Sequence, residues 1–265
     1  FVEHGFNLFP EDASVSGLSA GSTHSYAYKF CYEWSDNAGN LHRSQPSPTV
    51  TATSSAVISA LNDASISFPT LRLTQKTEAN GRSAVMLAVY RTEDNGTVFY
   101  RLPYTSSNIN DTSVDTLTIV DDTEDADLID GAPLYTNGNV VANVTSPPPL
   151  ALVTHKNRLW VVDATNPLSI SYSKLLSPGI PVEFGLNFNV NVSPKGGPVT
   201  AIASMDDKLI IFKRNSIYMV TGDGPAADGS GDDLSAATFI TSDCGCLNQR
   251  SVGTVPDGLM FQSDK

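Results

Sequence analysis

Aromatic and smaller or charged residues alternate without a break from Tyr26 to Trp34: Tyr26, Tyr28, Phe30, Tyr32 and Trp34 fall on one pleat face, while Lys29 and Glu33 fall on the other. That period of two predicts a half-buried antiparallel strand. Five rings in register read as core, each burial contributing about 2 kcal/mol or more. An aromatic platform for sugars or bases is the rival reading. A turn-forming cluster follows at Ser35-Asp-Asn-Ala-Gly-Asn40, and Pro46 and Pro48 mark an edge or bend because proline cannot donate to a ladder. Further strands are predicted over 48–52, 65–68, 85–90, 98–100 and 117–120, with Asn95-Gly96 as a hairpin signal between two of them. No helical period exceeds a turn, so residues 15–134 are expected to form a β-sandwich.

A second pattern begins after Pro147-Pro-Pro149. The segments 154–162, 204–212 and 254–262 align without a gap at a spacing of 50 residues, which makes Leu159, Leu209 and Leu259 one repeated position. Asn157, Asp207 and Asp257 fall in the polar turn before each leucine. Strands are predicted on both sides of that turn, a third over 170–172 and 216–220, and a weaker fourth over 182–184 and 238–240. Four strands per repeat fit a propeller blade. The expected fold is therefore all-β: a partial β-propeller of two complete blades and one truncated blade over 150–265, and an inserted sandwich over 15–134. Residues 135–149 serve as a proline-rich connector, and residues 1–14 as the end of a preceding blade. Such a ring needs about four to eight blades, so the chain reads as a piece of something longer, beginning without Met and stopping inside a hairpin.

Composition narrows the function. Sixteen Lys and Arg against 28 Asp and Glu give a formal charge of −12, which opposes binding to nucleic acid or anionic membranes by charge neutralisation. No apolar run approaches the roughly 20 residues that span a bilayer, and the start lacks a basic, then apolar, leader pattern. Three cysteines make no disulfide framework, and Cys244-Gly-Cys246 has no second pair for zinc.

Candidate chemistry is sparse. Six acidic residues lie between Asp121 and Asp130, and carboxylates such as Asp121, Asp122 and Asp125 are the type that binds calcium, although the spacing matches no EF-hand loop. Asp223 and Asp228, in a glycine-rich stretch, raise the same question; solvated turns are the alternative for both. His4, His24, His42 and His155 are scattered, without the paired spacing of a metal site. Asp163, Glu183 and Asp206 are conceivable members of a propeller glycosidase set, but such a set needs carboxylates converging from different blades. The four sequons at Asn95, Asn110, Asn143 and Asn191 are expected by chance. No cofactor motif is present.

The propeller segments 155–160, 170–174, 196–203, 205–213, 216–225 and 256–265 resemble the tail tubular protein B family, the tail nozzle proteins of short-tailed phages. The stretch containing Tyr28-Lys-Phe-Cys-Tyr32, Gln45-Pro-Ser-Pro48, Val89-Tyr-Arg-Thr92 and Thr97-Val-Phe-Tyr-Arg-Leu102 is similar to fibronectin-type-III-like modules of phage virion proteins. The resemblance implies a structural, non-enzymatic virion protein forming a six-fold ring of identical copies. That ring would meet portal-side or adaptor proteins and tail fibres, and DNA would pass its lumen without specific binding. A carbohydrate- or receptor-binding module of the virion is the alternative, with a propeller glycoside hydrolase behind it.

Overall fold

A computed structural model describes residues 8–36, 38–77, 83–135, 140–177 and 181–263. At 43% strand and 4% helix the protein is all-β, built of antiparallel sheets. The chain divides into two compact units, Phe1–Asn137 and Gly138–Lys265.

The first unit contains β1 (Ser14–Ser16), β2 (His24–Ser35), β3 (Leu41–Arg43), β4 (Val50–Ser54), β5 (Ala64–Pro69), β6 (Met86–Thr92), β7 (Phe99–Arg101) and β8 (Thr116–Asp121), followed by one helical turn, α1 (Asp125–Leu128). One sheet has the order β1-β5-β8; the other has β3-β2-β6-β7, with β4 also on β2. Tyr26, Tyr28, Phe30, Tyr32 and Trp34 are all buried in a core shared with Ile66, Phe68 and Ile119 of the opposing sheet. The aromatic alternation is thus core, and the platform reading fails because no ring of that row faces solvent. The prolines act where β3 gives way to β4 along one edge of β2. There the hydroxyls of Ser47 and Ser44 accept from the N–H groups of Phe30 and Tyr32, at 3.0 and 2.9 Å, replacing ladder partners.

Residues 1–14 were expected to close a preceding blade. Residues 1–7 lie outside the described residues, and Ser14 instead opens β1, which pairs with β5. Asn95 does sit in the turn between β6 and β7, at φ 52°, but Thr92 pairs with Phe99, so the connection is longer than a two-residue hairpin loop.

The second unit contains β9 (Asn143–Val144), β10 (Pro149–His155), β11 (Arg158–Asp163), β12 (Ser169–Ser173), β13 (Phe184–Asn191), β14 (Val199–Met205), β15 (Lys208–Lys213), β16 (Ile217–Thr221), β17 (Thr238–Thr241), β18 (Gly253–Val255) and β19 (Gly258–Met260). These form the sheets β10-β11-β12-β13-β9, β14-β15-β16-β17 and β18-β19. The expected connector over 135–149 is partly sheet: Asn143 and Val144 pair with Gly185 and Phe184, while 136–139 lie outside the described residues. The fourth strand expected over 182–184 runs instead from Phe184 to Asn191.

The repeat is visible in the ladders. Thr154 faces Leu159, Ser204 faces Leu209 and Thr254 faces Leu259. The first two hairpins share a bulge at the same place, between Pro149 and Ala151 and between Val199 and Ala201. Their turns hold Asn157, Asp207 and Asp257 but differ in backbone. Lys156 and Asn157 both have positive φ, Asp206 alone does in the second turn, and the third carries Pro256.

Candidate functional site

In the first unit the acidic stretch is organised around a cation. Arg91, fully buried on β6, donates to Asp121 (3.0 Å), to Asp125 (2.8 Å) and to the carbonyl of Thr123 (2.9 Å). Its guanidinium lies 5.2 Å from the centre of the Tyr26 ring. Asp121 also accepts the Tyr28 hydroxyl at 2.8 Å. Burial pushes the Asp121 carboxyl above its ordinary range, against the pull of Arg91 and of these hydrogen bonds. Asp125 and Asp127 occupy the first turn of α1, where carboxylates complement the helix dipole, and Asp125 also accepts the N–H of Asp94 at 2.8 Å. Two of the three calcium candidates here are therefore committed to Arg91, while Asp122 is exposed.

The glycine-rich stretch of the second unit is likewise internally bonded. Asp233 accepts the N–H groups of Asp223 and Gly224, both at 2.7 Å, which draws its carboxyl below the usual range. Asp228 closes its own turn through Ser230, and Asp223 pairs with Lys156 at 2.6 Å. Arg158, buried at the start of β11, donates to the carbonyls of Asp223 (3.0 Å), Ser173 (2.9 Å) and Pro225. The loop is thereby fastened to the first sheet by backbone oxygens. Lys213, also buried, binds the carbonyls of Ser193, Lys195 and Gly197 in the connection between the first two sheets. Burial lowers its ammonium below the ordinary lysine range. Among the described residues no three His, Cys, Asp or Glu side chains are grouped to hold a metal ion.

The glycosidase candidates do not meet. Asp163 ends β11 at the strand's far end from the hairpin turn, where it binds Thr165, whereas Asp206 sits in a hairpin turn at φ 52°. Glu183 lies 3.6 Å from Lys174. Cys31 and Cys246 are buried thiols and Cys244 is half-buried.

The strongest arrangement in this unit is the stacking itself. Trp160, Val162, Ile170 and Tyr172 on one face of the first sheet pack against Ile202, Leu209, Ile211, Tyr218 and Val220 of the second. The other face of the second sheet, with Ile210, Phe212 and Ile217, receives Val252, Leu259 and Phe261 from the third hairpin. His155 and Ser204 bridge the first two hairpins near their turns at 2.8 Å. Gln249 uses both ends of its amide on the backbone of Ile202, satisfying an edge of β14.

The register makes Leu152 the counterpart of Ile202, and Leu159 the counterpart of Leu209. Ile202 and Leu209 are fully buried, but Leu152 is 53% exposed and Leu159 only half-buried. Leu150, at the bulge, is also exposed. Ser171 stands where the second sheet carries Tyr218, and Val161, the counterpart of Ile211, is buried, so the uncovered apolar area on this face is Leu152 with part of Leu159. Met260, the counterpart of Ile210, is likewise exposed on the third hairpin.

Arg91, Arg158 and Lys213 were not singled out from sequence; the available signal was a basic residue at the end of an otherwise apolar strand. No protein-family model matches the chain, and a search of curated proteins found none similar to it.

Proposed function

We propose that the protein is a structural component of a phage tail, a ring-forming nozzle or tubular element around the DNA exit channel. In this reading the second unit is part of a β-propeller, its sheets being blades, and the first is a fibronectin-type-III-like insertion facing fibres, host or neighbouring copies. One observation carries the proposal. Three hairpins in a single register stack face to face, and the first sheet leaves Leu152 exposed where its counterpart in the second sheet, Ile202, is covered. A repeating stack with an apolar face open is completed by further sheets and closes as a ring or superhelix.

The sequence resemblance supplies the tail assignment, and the charge of −12 suits a lumen that lets DNA slide without adhering. Portal-side adaptors and fibres are the partners implied, and the virion the location. A reconstruction of the particle carrying this chain is the test: six copies ringing the channel axis are expected, and a location off that axis would refute the reading.

A further inference from the structure

The first unit has six described Lys and Arg residues. Arg91 is buried on its carboxylates, Lys76 is buried with its ammonium 2.6 Å from the Ser35 carbonyl, and Arg72 pairs with Asp115. The remaining three share one face of the sheet β3-β2-β6-β7, the face turned away from the aromatic core. Lys29 lies opposite Tyr90 and Tyr90 opposite Arg101, one row across three strands; Arg43 lies opposite Glu33. Strand spacing puts Lys29 and Arg101 backbones about 10 Å apart, and the Arg43 row about 13 Å further along β2.

Each of these cations sits over a ring: Lys29 over Phe99 at 5.5 Å, Arg43 over Tyr135 at 5.4 Å and Arg101 over Tyr104 at 4.8 Å. Lys29 also donates to the Ser47 carbonyl at 3.3 Å, and Cys31, Ala88 and Tyr90 on this face are buried beneath Phe99, Leu134 and Tyr135, so the rings hold three partly exposed charged heads around a covered patch at little entropic cost on binding. Glu33, 3% exposed, is the carboxylate the two arginines share, at 2.6 Å from Arg43 and 3.8 Å from Arg101. It also accepts the Tyr104 hydroxyl. The face thus carries three cations against one inward-lying carboxylate, on a chain whose formal charge is −12. Arg43 engages Glu33 through Nε, and among the described residues its two terminal nitrogens have no partner.

We propose that this face binds an acidic polysaccharide, its cations pairing with carboxylate, sulfate or phosphate groups spaced along the sugar chain. Single-stranded nucleic acid fits less well, because the cations already occupy the ring faces on which bases would stack. The inference is independent of the virion reading.

The test is binding of the full chain to polygalacturonate and to heparin oligosaccharides at low salt, with neutral dextran and a single-stranded oligonucleotide alongside. Binding to at least one acidic saccharide, weakened by added salt and absent for dextran, is expected. Lys29→Gln with Arg101→Gln should cut affinity tenfold or more while the thermal transition stays in place. Arg43→Lys keeps the charge near Glu33 but loses the two-pronged contact, and should weaken binding severalfold without unfolding. Absence of binding to both acidic saccharides, equal or tighter binding of the oligonucleotide, or affinity unchanged in these variants would each overturn the proposal.

Discussion

Arg91 brings a full charge into a site without solvent, and its cost is met by two carboxylates, a backbone carbonyl and the face of Tyr26. Removing one member of such a group leaves the other charge buried and uncompensated, which is worse than having neither. Arg91→Leu is therefore expected to destabilise the first unit by about 3–5 kcal/mol, and Arg91→Leu combined with Asp121→Leu by clearly less. Urea unfolding of these two variants and of Asp121→Leu alone checks this; additive losses in the double variant would show that the pair is not coupled. The sequence displayed the acidic cluster but hid its purpose, since the arginine lies 30 residues from Asp121 and nothing local announces the pairing. The calcium reading arose from that missing partner.

The elements themselves were far more legible. Period-two alternation and turn residues are local signals, so β2, β5, β8 and all three repeat hairpins fall close to their predicted positions. The strand Phe184–Asn191 was misplaced because asparagines alternate with Leu186, Phe188 and Val190, and asparagine is a poor strand former. The alternation was nonetheless there to be read. Burial was harder than register: the gapless alignment makes Leu159 and Leu209 equivalent, yet only Leu209 lies in a core, because a face is buried only when a neighbouring sheet covers it. Leu209→Ala should cost about 2–5 kcal/mol and Leu159→Ala about 1 kcal/mol. Equal losses, measured by denaturant unfolding, would mean that both faces are covered alike.

Across the whole molecule, buried acidic side chains set the alkaline limit. Burial pushes Cys31 from 9.0 up to about 12, and Tyr32, Tyr90 and Tyr172 from 10.0 up to about 12. Because the folded values lie above the unfolded ones, their contribution to stability is complete below about pH 9 and is lost as the pH rises toward about 12. The urea midpoint should fall steadily over that interval; a flat midpoint with tyrosinate absorbance growing in the folded state would contradict it.

The exposed Leu152 on β10, beside the half-buried Leu159, is the feature on which the account of assembly depends. Sedimentation velocity of the isolated chain across a wide concentration range tests it most directly. Growth into larger species with concentration is expected for the native sequence, and Leu152→Asp, which places a charge on that face, should reduce it. A cooperative, concentration-independent monomer, or association untouched by Leu152→Asp, would contradict the proposal that this stack is completed by further sheets in a ring.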